Sequence, residues 1–155
     1  MSNYSNIEIE FIERTIELIE QYLSDLEKYP AEKQFNHTLI INCMLGLIIM
    51  PKEMAISYVP NERLTTEYKN KIGLQDTVIH EDIKRLRDLI HRLRNSIAHF
   101  SINVISDDEN GRIDWIEFLD IENGRKLLAR FKESEIFPFL KYYSSYLIDN
   151  MKKYR

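Results

Sequence analysis

The sequence predicts a mainly α-helical domain of about four main helices, with a small antiparallel β-meander before the last one. Three observations predict it. Apolar residues recur at helical spacing over 7–26, 32–50 and 81–99. The period then shortens to two across 101–120, where two alternating runs flank Asp107-Asp108-Glu109-Asn110-Gly111. Helical spacing returns from Ser134 to Lys152.

The first helix is read as Ile7 to Leu26. Ile12, Ile16, Ile19, Leu23 and Leu26 form one face, and Glu10, Glu13, Arg14, Glu17 and Glu20 fill the other. Ser5 or Asn6 is its expected N-cap, and Tyr29-Pro30 ends it. The second helix is read from Glu32 to Met50, with Phe35, Leu39, Ile40, Met44, Leu47 and Ile48 at helical spacing. It is apolar nearly all round, as a central helix or a dimer face is. Gly46 allows close approach of a neighbour, and Pro51 stops the run. Residues 52–79 are read as an irregular excursion with one short helical turn, a loop length often tied to function.

The third helix is read from Glu81 to His99. Ile83, Leu86, Ile90, Leu93 and Ile97 make its buried stripe. At 100° per residue, Asp88, Arg92, Asn95 and His99 lie opposite, with Arg87, His91, Arg94 and Ala98 along one border. Two strands follow, Ser101–Ser106 and Arg112–Asp120, the second rich in β-branched and aromatic residues. After Asn123-Gly124, Arg125–Lys132 fits helix or strand; two turns in succession favour a third strand. Ser134 is the expected cap of the last helix, with Phe137, Leu140, Tyr143, Leu147 and Met151 as its spine.

The 155 residues fit one domain, 1–155. A net charge of -4 excludes a globally basic nucleic-acid binder, so any such site is a local patch. The single cysteine, Cys43, allows no disulfide within the chain and reads as a small buried apolar residue. The N-terminal residues lack the basic region of a secretory signal. The apolar run Met44–Met50 is far short of the roughly 20 residues a membrane span needs. A cytoplasmic protein without a membrane anchor is expected.

Five cations, Lys84, Arg85, Arg87, Arg92 and Arg94, cluster on the third helix, which ends at a histidine. An arginine followed four to six residues later by histidine occurs three times: Arg85 with His91, Arg92 with His99, and Arg94 with His99. Chance alone supplies about one such match, so the spacing does not choose. Context favours Arg94 with His99, because Asn95 follows the arginine and His99 closes the helix.

Arg94-Asn95-Ser96-Ile97-Ala98-His99, late in a helical bundle, resembles the HEPN superfamily motif of arginine, a polar residue, a short spacer and histidine. The apolar second helix ending in LGLIIMPKE, the RNSIAHF stretch, the meander and the terminal helix are similar to bacterial HEPN nucleases. The resemblance implies an HEPN-like bundle acting as a homodimeric, metal-independent endoribonuclease with no cofactor. It places Arg94 and His99 as the catalytic pair and Asn95 as their polar support. It also implies toxins or defence effectors, held by an antitoxin in some cases and inactive in others. Arg87, His91 and Arg92 are the candidate substrate-binding residues beside them.

The chemistry agrees with these residue types. RNA cleaves itself when a 2′-hydroxyl attacks the adjacent phosphate, which needs a base, an acid and charge stabilisation but no metal. A histidine, titrating ordinarily at about pH 6.5, can be base or acid. An arginine stays cationic and forks onto phosphoryl oxygens. Five residues along a straight helix separate Arg94 from His99 by roughly 140°. Either the helix unwinds before His99, or a two-fold dimer assembles a composite site. The plainer readings stay open: Arg94 as a snorkelling residue at the stripe's edge, His99 as a C-terminal cap favoured by the helix dipole, and the cations as a solvated face. A silent helical module binding nucleotide, RNA or a protein partner is the alternative function.

Overall fold

In a computed structural model, the structure describes residues 4–49, 59–106 and 113–153, excepting the side chains of residues 32 and 36. The fold is mainly helical with a small antiparallel sheet. Helix α1 spans Ile7–Ser24, and the expected last turn is instead a separate 3₁₀ turn at Leu26–Lys28. Asn6 occupies the N-cap without a side-chain capping bond. Glu10 caps it by reaching back: its Oε1 accepts from the Ser5 and Asn6 amides at 2.8 and 2.9 Å. A carboxylate there also suits the positive end of the helix dipole.

The second helical region is shorter and more broken than its apolar pattern predicts. Residues Ala31–Lys33 form a 3₁₀ turn, α2 spans Asn36–Met44, and Leu45–Ile49 continue as a π-helical turn. Phe35, expected in the stripe, precedes the helix and is exposed. Gly46 admits the ring of Phe11 from α1: a Cβ there would lie 3.1 Å from Phe11 Cε1. The expected end at Met50-Pro51, and the start of the excursion, lie outside the described residues. The excursion contributes α3, Thr66–Lys71, capped by the Thr65 hydroxyl, and a short strand β1, Val78–Ile79, that alternation over two residues cannot reveal.

Helix α4 spans Leu86–Ala98, so it starts five residues later than expected. Ile83 is buried but not helical, and Arg85 is extended at φ -132° and ψ 149°. Leu86, Ile90, Leu93 and Ile97 are buried as the periodicity predicts, and Leu89 joins them. Strands β2 (Ile102–Ile105), β3 (Trp115–Asp120) and β4 (Lys126–Lys132) follow. The residues expected to turn between β2 and β3, Asp107–Gly111, lie outside the described part, as does Arg112. Among the described residues the sheet has four strands, not three, in the order β1-β4-β3-β2, all antiparallel. Register shifts between Phe118 and Leu119.

The last helix, α5, spans Glu133–Lys153 and begins directly from β4, so Ser134 is not its cap. Its spine runs through Ile136, Phe139, Leu140, Tyr143 and Leu147, all buried, while Phe137 is only half-buried. Phe118, Phe131 and Phe139 pack edge-on or tilted at 5.5 Å between ring centroids, joining the sheet to α5. Buried Glu135 receives the Gln75, Asp76 and Thr77 amides at 3.1, 2.7 and 2.9 Å and the Thr77 hydroxyl at 2.6 Å. It thereby seats the segment leading into β1. Helix α4 packs against Leu45–Ile49 and against β3, while α5 packs on α1, α2 and β4. No helix among the described residues is long and apolar enough to cross a membrane.

Candidate active site

The site candidates lie at the C-terminal end of α4, and hydrogen bonds fix how that end closes. The His99 amide still bonds the Asn95 carbonyl at 3.1 Å, so the backbone is helical up to His99. Phe100 then turns left-handed, at φ 51°. Its amide reaches the Ile97 carbonyl at 3.0 Å, and the Ser101 amide reaches the Ser96 carbonyl at 2.8 Å. This paired closure satisfies carbonyls that a helix end otherwise leaves unbonded, and it normally carries glycine at the left-handed position. Here the position holds a phenylalanine that is 74% exposed.

Buried Ser96 anchors the turn. Its hydroxyl donates to the Ser101 carbonyl at 2.8 Å and accepts the Leu119 amide at 3.2 Å. The Leu119 amide also lies 3.0 Å from the Ser101 carbonyl. The irregularity in β3 at Phe118/Leu119 thus turns an amide onto the helix end. Ser96 gave no signal of this in the sequence, since a serine inside a motif reads as spacer.

The polar ridge divides into engaged and unengaged groups. Arg92 Nη1 donates to Asp120 Oδ2 at 2.7 Å. Burial raises the Asp120 pKa, but the hydrogen bond from Asn123 and the Arg92 charge outweigh it and hold the carboxyl below the ordinary carboxylate range. Asn95 Nδ2 lies 3.3 Å from Glu122 Oε1. Arg87 bonds the Val59 carbonyl through Nε at 3.3 Å and Nη2 at 2.9 Å. His91 is exposed on the same helix.

Arg94 and His99 differ from Arg92, Asn95 and Arg87. Among the described residues, neither side chain has a hydrogen-bond or carboxylate partner. Arg94 is half-buried and acts electrostatically on the Tyr143 phenol of α5. Burial pushes that phenol's pKa up, and the Arg94 guanidinium pulls it back. His99 is exposed. The helix does not unwind before His99, so the two residues leave the axis roughly 140° apart. One helix does not point them at one another.

The fold and these residues define a mainly helical domain whose Arg-Asn-x3-His segment closes a core helix against a sheet. The chain belongs to the HEPN family: it matches the family model described as HEPN pEK499 p136 over residues 1–154. No match was found among curated proteins or among solved structures. Family membership points to a nuclease or RNA-related module.

Proposed function

We propose that the chain is a single HEPN-like domain, 1–155, acting as a homodimeric, metal-independent endoribonuclease. In this reading α1, α2, α4 and α5 are the four bundle helices, and Arg94, Asn95 and His99 are catalytic. The observation that carries it is an uncompensated guanidinium at Arg94, five residues before a solvent-facing imidazole at His99. A half-buried cation without a carboxylate is costly unless an anion completes it.

In the proposed reaction an imidazole takes the proton from a ribose 2′-hydroxyl, whose oxygen forms a bond to the adjacent phosphorus. The bond from phosphorus to the 5′-oxygen breaks, and an imidazolium protonates that leaving oxygen. Arg94 holds the extra negative charge on the phosphoryl oxygens. Asn95, next to Arg94 on the same helix, holds Glu122 through its side-chain amide and is the polar support of the pair. The helical backbone up to His99 supports the composite site, since a two-fold partner supplies the converging imidazole. Arg92 and Arg87, each bonded within the fold, add positive potential, and exposed His91 lines the approach. A role as a toxin or defence effector, with an antitoxin partner, accords with this activity.

The test is product chemistry. RNA incubated with the protein in EDTA should yield 2′,3′-cyclic phosphate and 5′-hydroxyl ends. An oligonucleotide carrying one ribose in an otherwise deoxy strand should be cut only after that ribose. Cleavage dependent on added Mg²⁺, or leaving 5′-phosphate ends, rejects the mechanism.

A further inference from the structure

A second concentration of uncompensated charge lies at the opposite end of α4. Arg63 and Arg85 face each other across an isolated antiparallel bridge. The bonds flanking it run from the Leu64 amide to the Lys84 carbonyl at 2.9 Å and from the Leu86 amide to the Glu62 carbonyl at 3.0 Å. That pattern makes Arg63 and Arg85 the close, non-hydrogen-bonded kind of pair, whose side chains are nearest. Like charges directly opposite are destabilising.

The same two arginines line a cleft of about 710 Å³ together with Lys69 and Lys84. That volume falls within the roughly 300–1,000 Å³ of small-molecule sites. Among the described residues, none of the four cations pairs with a carboxylate. Lys69 and Arg85 instead bond carbonyls, of Thr77 at 2.9 Å and Asn61 at 2.8 Å, which fixes their heads without neutralising them. Glu81 is the only acid among the described lining residues, and Leu64, Ile79 and Ile83 add apolar surface between the cations. Four cations gathered around one carboxylate, in a chain of net charge -4, make a local field that an anion relieves.

We infer that this cleft binds a nucleotide, its phosphates between Arg63, Arg85 and Lys84 and its base against Leu64 and Ile79. The site is separate from Arg94 and His99: along α4 they lie about 14 Å and about 21 Å from Arg85. It stands whether or not the chain cleaves RNA. The nucleotide is either free or part of an RNA strand, and the two sources are distinguished by probe. The experiment measures binding of ADP by calorimetry and of a 2′-O-methyl RNA octamer, which resists cleavage, by fluorescence anisotropy. At least one probe binds the wild-type protein. Arg63→Ala and Lys84→Ala each weaken that binding about fivefold, and Glu81→Gln tightens it. For the octamer, each lost cation also lowers the salt slope by about 0.7. Binding of ADP identifies a free nucleotide, and binding of the octamer alone identifies a strand. The inference is overturned if neither probe binds, or if the bound probe is indifferent to the Arg63→Ala/Lys84→Ala double variant while circular dichroism shows it folded.

Discussion

Arg92 of α4 and Asp120 at the end of β3 are joined by a 2.7 Å charge-assisted hydrogen bond, and the carboxylate is only 11% exposed. Asn123 Nδ2 donates to the same oxygen at 2.7 Å, and the Glu122 amide donates to Asp120 Oδ1 at 3.1 Å. This carboxylate therefore ties the candidate helix to the loop after β3. Asp120→Ala should cost about 1–2 kcal/mol in urea denaturation. Because the folded carboxyl lies below its unfolded value, its contribution is present above the unfolded pKa of about 3.9 and lost as pH falls through the folded value. Thermal melts from pH 6 to pH 3 should fall more steeply for the wild type than for Asp120→Asn.

Phe100 holds a left-handed backbone that glycine would hold without steric cost. Phe100→Gly should therefore be more stable than Phe100→Ala, by about 1 kcal/mol, in paired denaturant titrations. Equal stability of the two variants would mean that the turn is not left-handed in solution.

Gly46 sits where a methyl group would meet the Phe11 ring at 3.1–3.2 Å. Gly46→Ala should lower the melting temperature, at a cost of about 1–2 kcal/mol from overpacking in the π-helical turn. Phe11→Leu, which withdraws the ring, should recover part of that loss when the two changes are combined.

Glu135 accepts four hydrogen bonds while nearly buried. Glu135→Gln turns one of the two accepting oxygens into a donor facing two of these four donors and should cost about 2–3 kcal/mol. Amide exchange should accelerate first at residues 75–77.

The long apolar stripes were legible because periodicity is local: Leu86, Ile90, Leu93 and Ile97 lie in the core as their spacing predicts. The start of α4 was not legible. Ile83 continues the helical spacing but is buried from a turn ahead of the helix, and the pairing of Arg85 with Arg63 spans 22 residues of sequence. Strand β1 is held by β4, more than 45 residues on, and two residues carry no period of their own. Arg94, Asn95 and His99 could be singled out because their motif is contiguous. Asp120 and Glu122, which hold their neighbours, could not, because a carboxylate on a distant turn carries no mark of its partner. Phe35 and Phe137 show the converse: an aromatic at the right spacing still lies outside the core where the helix begins late or turns away.

Whether Arg94 and His99 cleave RNA without a metal is read from the cleavage rate of a short fluorescent RNA in EDTA by the wild type, Arg94→Ala and His99→Ala. Cleavage by the wild type is expected, with a loss of at least about a hundredfold in each variant and melting temperatures unchanged. Cleavage that persists in either well-folded variant, or a wild-type protein that cuts no RNA in EDTA, would contradict metal-free cleavage by this pair.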